Sequence, residues 1–419
     1  MRSHHLTLAA AFALVAAATA CDKLLTVDNP GRVPAESLDD PALVPALEAG
    51  ALQQFMCGYA QYVSTAGMLS GEYWSANGFV DNHPWEWRGI QEIKSNPGGC
   101  ATARTQTFMG FYTPLQQARY QLDDLGKRAA SYTDAQLPNR IRIQAEAAAY
   151  AGYTYLLLAE SMCDMTIDNG PKISKADVLK IAEQRFTEAL GFAGTSTDAQ
   201  LVSLKNMAYD GRARERLDAG NLAGAAADAA LVPAGFVRNA DFAEGGAVGR
   251  EDRLYNLTVR NDFLSVTPAY RNLTLENGQP DPRVKVTNTG RTGSDNVTPV
   301  WQQQKFTGSG AVGIPIASYA EAQLILAEAT GGQAGLDAIN RVRALSSIPA
   351  IPTVPADFKA LIIEERRRQL FSEGQRYGDM LRFNLPFQTG VNRKGQSYSS
   401  LTCVPLPDVE TRNNPNLGA

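Results

Sequence analysis

Residues 206–233 read Asn206-Met207-Ala208-Tyr209-Asp210-Gly211-Arg212-Ala213-Arg214-Glu215-Arg216-Leu217-Asp218, then Ala219-Gly220-Asn221, then Leu222-Ala223-Gly224-Ala225-Ala226-Ala227-Asp228-Ala229-Ala230-Leu231, with Pro233 after it. Two stretches of helical propensity flank a Gly-Asn turn, and a proline stops the second. Gly224 lowers the intrinsic propensity of the second stretch, so its small size must serve packing. Small residues at Ala208, Gly211, Gly224 and Ala227 let two antiparallel helices approach closely. This stretch predicts a helix pair.

The same design recurs. Ser318 to Thr330, the Gly331-Gly332 break and Ala334 to Leu345 form a second candidate pair, and 137–163 with 173–190 a third. Helix–turn–helix units of this kind are the signature of a tetratricopeptide-type repeat, here degenerate in spacing. Generic packing of Ala-rich helices produces the same pattern. Further helices are expected over 107–130 and 198–217, and another behind a cap at Ser37-Leu38-Asp39-Asp40, with Leu43, Leu47, Leu52 and Phe55 on one face. Residues 232–317 differ. They are rich in Gly, Asn, Thr and Asp, with short β-type runs at Arg283–Val286 and Val300–Phe306. The expected fold is mainly α: degenerate tetratricopeptide-like pairs at about 107–231 and 318–383 forming a right-handed helical scaffold, with a loop-rich insertion carrying short strands.

The chain has 419 residues, 44% hydrophobic and 20% charged, with a formal net charge of -4. That composition builds a sizeable core and offers no basic field for nucleic acid. The three histidines are His4, His5 and His83. The first two sit in an export signal. Arg2 precedes an apolar run from Leu6 to Ala20, too short to span a bilayer, and Ala18-Thr19-Ala20-Cys21 follows the small-residue rule of a cleavage site. We expect cleavage after residue 20, lipidation of Cys21, and a linker over 21–34. Ala18 stands where a lipobox usually has Leu, and plain secretion is the alternative. With only His83 left, multi-histidine metal sites are excluded, and no C-x-x-C pair offers a zinc site; no metal or other cofactor is expected. Cys57, Cys100, Cys163 and Cys403 then remain for an oxidising compartment. They allow three pairings, of which Cys57–Cys100 is favoured. It closes a Gly- and Trp-rich loop, worth about 4 kcal/mol in the chain-entropy account.

The C-terminal third carries a family pattern. Ile363-Glu364-Glu365-Arg366-Arg367-Arg368-Gln369-Leu370-Phe371-Ser372-Glu373-Gly374-Gln375-Arg376-Tyr377-Gly378-Asp379-Met380-Leu381-Arg382 resembles the signature helix and turn of the RagB/SusD family. Tyr319 to Ala329 and Ala338-Ile339-Asn340-Arg341-Val342-Arg343 are similar to the helices that precede it. Val404-Pro405-Leu406-Pro407 with Glu410, Asp281-Pro282-Arg283, and Asp28-Asn29-Pro30 match the family's tail, middle and lead-in. Ser318 and Gln369 depart from it, where the family has Arg and Glu. The charges of the signature read as a structural ion network, with Glu364 and Arg368 four apart on a helix.

Residues 72–88 are the most unusual stretch: Glu72-Tyr73-Trp74-Ser75-Ala76-Asn77-Gly78-Phe79-Val80-Asp81-Asn82-His83-Pro84-Trp85-Glu86-Trp87-Arg88. Three of the four tryptophans stand here among amides and charges, with Gly and Pro marking a loop. Sugar rings stack apolar C–H faces on indoles while their hydroxyls seek amides, carboxylates and guanidinium groups. The candidate ligand-binding residues are Tyr73, Trp74, Asn77, Asn82, Trp85, Trp87, Arg88 and Trp301, with Tyr255 weaker. The resemblance implies ligand contacts in a loop after an early helix. It further implies an outer-membrane lipoprotein that binds oligosaccharide or polysaccharide, without chemistry of its own, and caps a SusC-like TonB-dependent transporter. The alternative is a secreted helical hydrolase using two carboxylates among Glu72, Asp81 and Glu86.

Overall fold

In the computed structural model the described residues are 35–80, 82–100, 109–245 and 250–417. The expected signal peptide, Cys21 and the linker lie outside them, as does Asp81. The chain divides into two compact units, one ending at Val44 and one beginning at Pro45. In the first, 3-10 turns at Ala35–Asp39 and Pro41–Leu43 flank Asp40, which caps the second by accepting from the Ala42 N–H.

Helices dominate the second unit: α1 (Val44–Leu69), α2 (His83–Trp87), α3 (Ile90–Ser95), α4 (Tyr112–Ser131), α5 (Arg140–Ser161), α6 (Lys175–Ala193), α7 (Ala199–Asp218) and α8 (Leu222–Ala229), then α9 (Tyr319–Thr330), α10 (Gly332–Leu345), α11 (Phe358–Gln369) and α12 (Arg376–Arg382). The strands are β1 (Tyr73–Ser75), β2 (Asp164–Met165), β3 (Ile173–Ser174), β4 (Val237–Ala240), β5 (Leu264–Val266), β6 (Val286–Thr292), β7 (Pro299–Gln303) and β8 (Ile314–Ser318). They form antiparallel pairs: β1–β5, β2–β3, β4–β8 and β6–β7. The fold is mainly α, with tetratricopeptide-like pairs α5–α6, α7–α8 and α9–α10 and a loop-rich stretch of short strands between the last two.

Local chemistry sets the boundaries. Side chains of Ser174, Asp198, Asn221, Ser318 and Asp357 each accept a backbone N–H at a helix start, satisfying donors the helix leaves open. The first repeat helix begins at Tyr112, five residues after the position expected from its pattern. Gly224 acts as the sequence reading expects, since a side chain there would stand 3.0 Å from Arg216 of α7, whereas Gly211 does not. A side chain at Gly211 would stand 2.4 Å from the Phe186 ring, so this glycine admits α6, not α8. The apolar core runs through the pairs. Ala213, Leu217, Ala225, Ala229 and Val232 pack on Ala322 and Ile325, and Leu324, Ala338, Ile339 and Val342 on Ile362 and Leu370.

Buried charge ties the pairs together. Arg214 of α7 makes two 2.5 Å bonds to Glu160 of α5 and reaches Glu321 of α9 at 3.4 Å. Tyr62 of α1 donates to the same Glu160. Asp210 accepts the Ser318 N–H at 3.2 Å, and burial, then Glu321, pushes its carboxyl up. A second network joins the signature helices. Arg366 binds both Asp379 oxygens at 2.9 Å, and Arg382 binds Glu328, Asp218 and Asp379 at 2.9 to 3.0 Å. Burial opposes ionisation of Asp379, but Arg366 and Arg382 outweigh it and hold its pKa down. A third uses Asp281 and Arg283, which reach Arg368 and Glu365 at 3.0 and 2.5 Å. Glu364 and Arg368 pair at 2.6 Å. Disulfides join Cys57 to Cys100 and Cys163 to Cys403.

Replacing one partner of a buried ion pair strands the other. Arg214→Met is expected to lose about 3–5 kcal/mol in urea unfolding. Lys180→Met, at the exposed pair with Asp177, is expected to leave the urea midpoint almost unchanged.

Candidate functional site

Three strands from distant parts of the sequence bring Trp74 and Trp301 together. In the β1–β5 pair Trp74 faces Ser265 in register. The Ser265 hydroxyl accepts the Trp301 N–H at 2.9 Å and donates to the Pro299 carbonyl at 2.7 Å, fastening β7 beside β5. Both indoles are half-buried. Arg271 lies between them, its guanidinium carbon 5.2 Å from the Trp74 centroid and 4.8 Å from that of Trp301. Its Nε and Nη2 donate to the Val266 carbonyl at 2.9 and 2.7 Å. Burial, then the charge of Arg393, lowers its pKa. Arg393 stands 4.5 Å from the Trp74 centroid, so much of that indole surface is occupied by guanidinium.

Arg393 in turn is fixed by Glu86. Its Nη1 and Nη2 lie 2.5 and 3.1 Å from the two Glu86 oxygens, Nε donates to Thr298 at 2.6 Å, and Nη2 donates to the Ser75 carbonyl. The Ser75 N–H also donates to Glu86, at 2.7 Å. Beside it, Lys394 pairs with Asp295 at 2.8 Å and donates to the Asn77 carbonyl. His83 meets the same carbonyl at 2.5 Å, and burial depresses its pKa.

Other candidates face inward. Within this stretch 73–75 form a strand and 83–87 a short helix, with exposed irregular chain at 78–80, and α2 drives Trp85 into the core. Trp85 is 2% exposed and its ring sits 5.9 Å from Phe111. Tyr73 is buried, its hydroxyl 2.5 Å from the Ser372 hydroxyl. Asn77 is buried, accepting from the Phe79 N–H and donating to the Phe263 carbonyl. Asn82 is buried, with no partner for its amide among the described residues. Arg88 is buried in the left-handed region, φ 58°, and donates to Gln388 and to the Ser399 carbonyl. Burial removes these five from ligand reach. Trp87 is half-buried and leans over Gly89. Tyr255 is half-buried beneath Arg260. Arg271, Arg393 and Lys394 were missed in the sequence, since no motif marks them.

The described residues contain no cluster of three or more metal-ligating side chains, and no helix among them is long and apolar enough to cross a membrane.

A family model described as the SusD family matches residues 247–417. No curated protein matches the chain. Among solved structures, a SusD superfamily protein from Bacteroides fragilis is 15% identical with TM-score 0.66, covering 91% of this chain and 99% of that one. A SusD-like carbohydrate binding protein from Bacteroides vulgatus is 16% identical with TM-score 0.67, covering 90% and 97%. A laminarin binding SusD-like protein is 16% identical with TM-score 0.63, covering 90% and 98%. Residues 247–417 thus match the SusD family model, and the chain as a whole shares the fold of these SusD-like structures.

Glu72, just before β1, supplies a test of this region. Its Oε1 accepts the Ser372 N–H at 3.1 Å, Oε2 has no partner among the described residues, and burial raises its pKa to about 7. An acid held up in the fold adds stability that is present below about pH 4.5 and is lost as pH rises toward 7. Glu72→Gln is therefore expected to gain on the parent by about 1–3 kcal/mol between pH 5 and 8, read as urea midpoints at each pH. A constant difference across that range contradicts the assignment.

Proposed function

We propose that this chain is a cell-surface lipoprotein that captures an oligosaccharide on the Trp74–Trp301 face and delivers it to a SusC-like TonB-dependent outer-membrane transporter. The observation that carries the reading is the convergence of two half-buried indoles, from distant parts of the sequence, on the two sides of Arg271. Indole area left uncovered by Arg271 and Arg393 accepts the C–H faces of pyranose rings, while Arg271 beside it offers donors to hydroxyls. The solved structures described as carbohydrate binding and laminarin binding share the fold and lend support. In this reading residues 1–20 are the signal peptide, 21–34 the anchor and linker with lipid on Cys21, and 35–419 one SusD-like domain.

The hydrolase alternative needs two free carboxylates across a cleft. Both oxygens of Glu86 are held by Arg393, and Glu72 is fully buried, so neither faces a substrate. Binding without bond cleavage is the favoured chemistry.

In affinity electrophoresis and calorimetry against a polysaccharide panel, at least one glycan should bind without new reducing ends. Trp301→Ala and Trp74→Ala should each weaken that binding by about 1–3 kcal/mol with little change in melting temperature. Trp85→Ala should instead destabilise the fold by about 3–5 kcal/mol. New reducing ends would favour the hydrolase. Separately, Cys21→Ser should abolish incorporation of labelled fatty acid and release the protein from the membrane fraction; an anchored variant contradicts lipidation at Cys21.

A further inference from the structure

Among the described residues, the arginines and lysines nearest the aromatic face are paired, with the exception of Arg271. Arg393 is neutralised by Glu86, Lys394 by Asp295 at 2.8 Å, and Arg291 by Asp262 at 2.7 Å. Arg271 forms no ion pair among the described residues. Its two bonds go to a single backbone carbonyl, and it shares the Trp74 ring with the like charge of Arg393. Nη1 has no acceptor among the described residues. A half-buried guanidinium with a like charge beside it and no counter-ion is costly, and its cation–π contacts to Trp74 and Trp301 offset only part of that cost. The position instead presents a planar donor edge, fixed at its other end by Val266 and flanked by indoles. That geometry is suited to a carboxylate.

The surroundings agree. Asn272, next in the chain, opens a groove of about 530 Å3 whose wall includes Thr274, Lys285, Thr287 and Gln304. Lys285 is exposed and has no side-chain partner among the described residues. The carboxylate in that wall, Asp281, is already held by Arg283 and Arg368 at 2.8 and 3.0 Å. Thr287 precedes Asn288, the register partner of Trp301. In that wall Lys285 is thus a cation without a paired carboxylate among the described residues.

We propose that the ligand is an acidic glycan, with a uronate carboxylate received by the free edge of Arg271 and the continuing chain running past Asn272 and Lys285. This rests on the glycan-binding reading and adds the substrate class.

The test compares polygalacturonate, a sulfated galactan, neutral galactan and laminarin on the full chain in detergent, by affinity electrophoresis and calorimetry at low and high salt. The expected result is at least tenfold tighter binding of polygalacturonate than of either neutral polymer, weakening as salt rises. Arg271→Gln should erase that preference while leaving weak, Trp301-dependent binding. Arg271→Lys should restore only part of it, because an ammonium keeps the charge and loses the fork. Neutral polymer bound as tightly as polygalacturonate, with Arg271→Gln unchanged, overturns the acidic class and leaves the glycan reading standing. Preference for the sulfated polymer alone overturns the uronate assignment. Absence of binding to all four overturns the acidic class, and a wider panel of neutral glycans then decides the glycan reading separately. Should Arg271→Gln fold poorly, the salt dependence and polymer ranking of the parent protein still decide.

Discussion

The turn from Phe371 to Gln375 is the fastening on which the candidate site depends. Its Ser372 N–H donates to Glu72, and the Ser372 hydroxyl meets Tyr73. From the other direction Lys305 donates to the Gln369 and Phe371 carbonyls and to Glu373, at 2.6, 3.2 and 2.6 Å. Glu72 and Tyr73 lead into Trp74, and Lys305 follows the strand that bears Trp301. One turn thus pins both tryptophan strands. Phe371 stacks with Tyr270 at 4.9 Å and Tyr73 at 6.2 Å, placing it next to the residue that precedes Arg271. Gly374 completes the turn at φ 82°, where a side chain would stand 3.1 Å from the Val63 backbone of α1. Only glycine meets both demands without strain.

The turn holds because buried charge holds its flanks. Arg366 before it and Asp379 after it are joined directly, and Arg382 carries that pair on to Glu328 of α9 and Asp218 of α7. The signature charges are structural, and their value lies in geometry rather than in net stabilisation. Buried ion pairs contribute little beyond apolar substitutes, yet breaking one is expensive. The aromatic face is built by the same logic. Glu86 and Arg393 set Ser75 and hence Trp74, while Ser265 sets Trp301.

Much of this was legible where the signal is local. The Gly-Asn and Gly-Gly turns and the period of the Ala-rich stretches locate the helix pairs to within a few residues. The signature helix and its charges read correctly as structural, since acids and arginines at helical spacing pair before they do chemistry. The tryptophans were harder. Gly78, Pro84 and the surrounding amides read as an open loop, but Pro84 stands in the first turn of α2 and that short helix turns Trp85 inward. Composition cannot separate a tryptophan above a surface from one below it. Arg271 and Arg393 carry no local signal because their roles come from contacts across the fold; Arg393 meets Glu86 across a separation of 307 residues.

The most direct measurement is a crystal structure of the protein with a glycan found to bind it. The account predicts sugar density in contact with Trp74 and Trp301, at the Arg271 guanidinium. A glycan bound elsewhere, with both indoles uncovered, would contradict it.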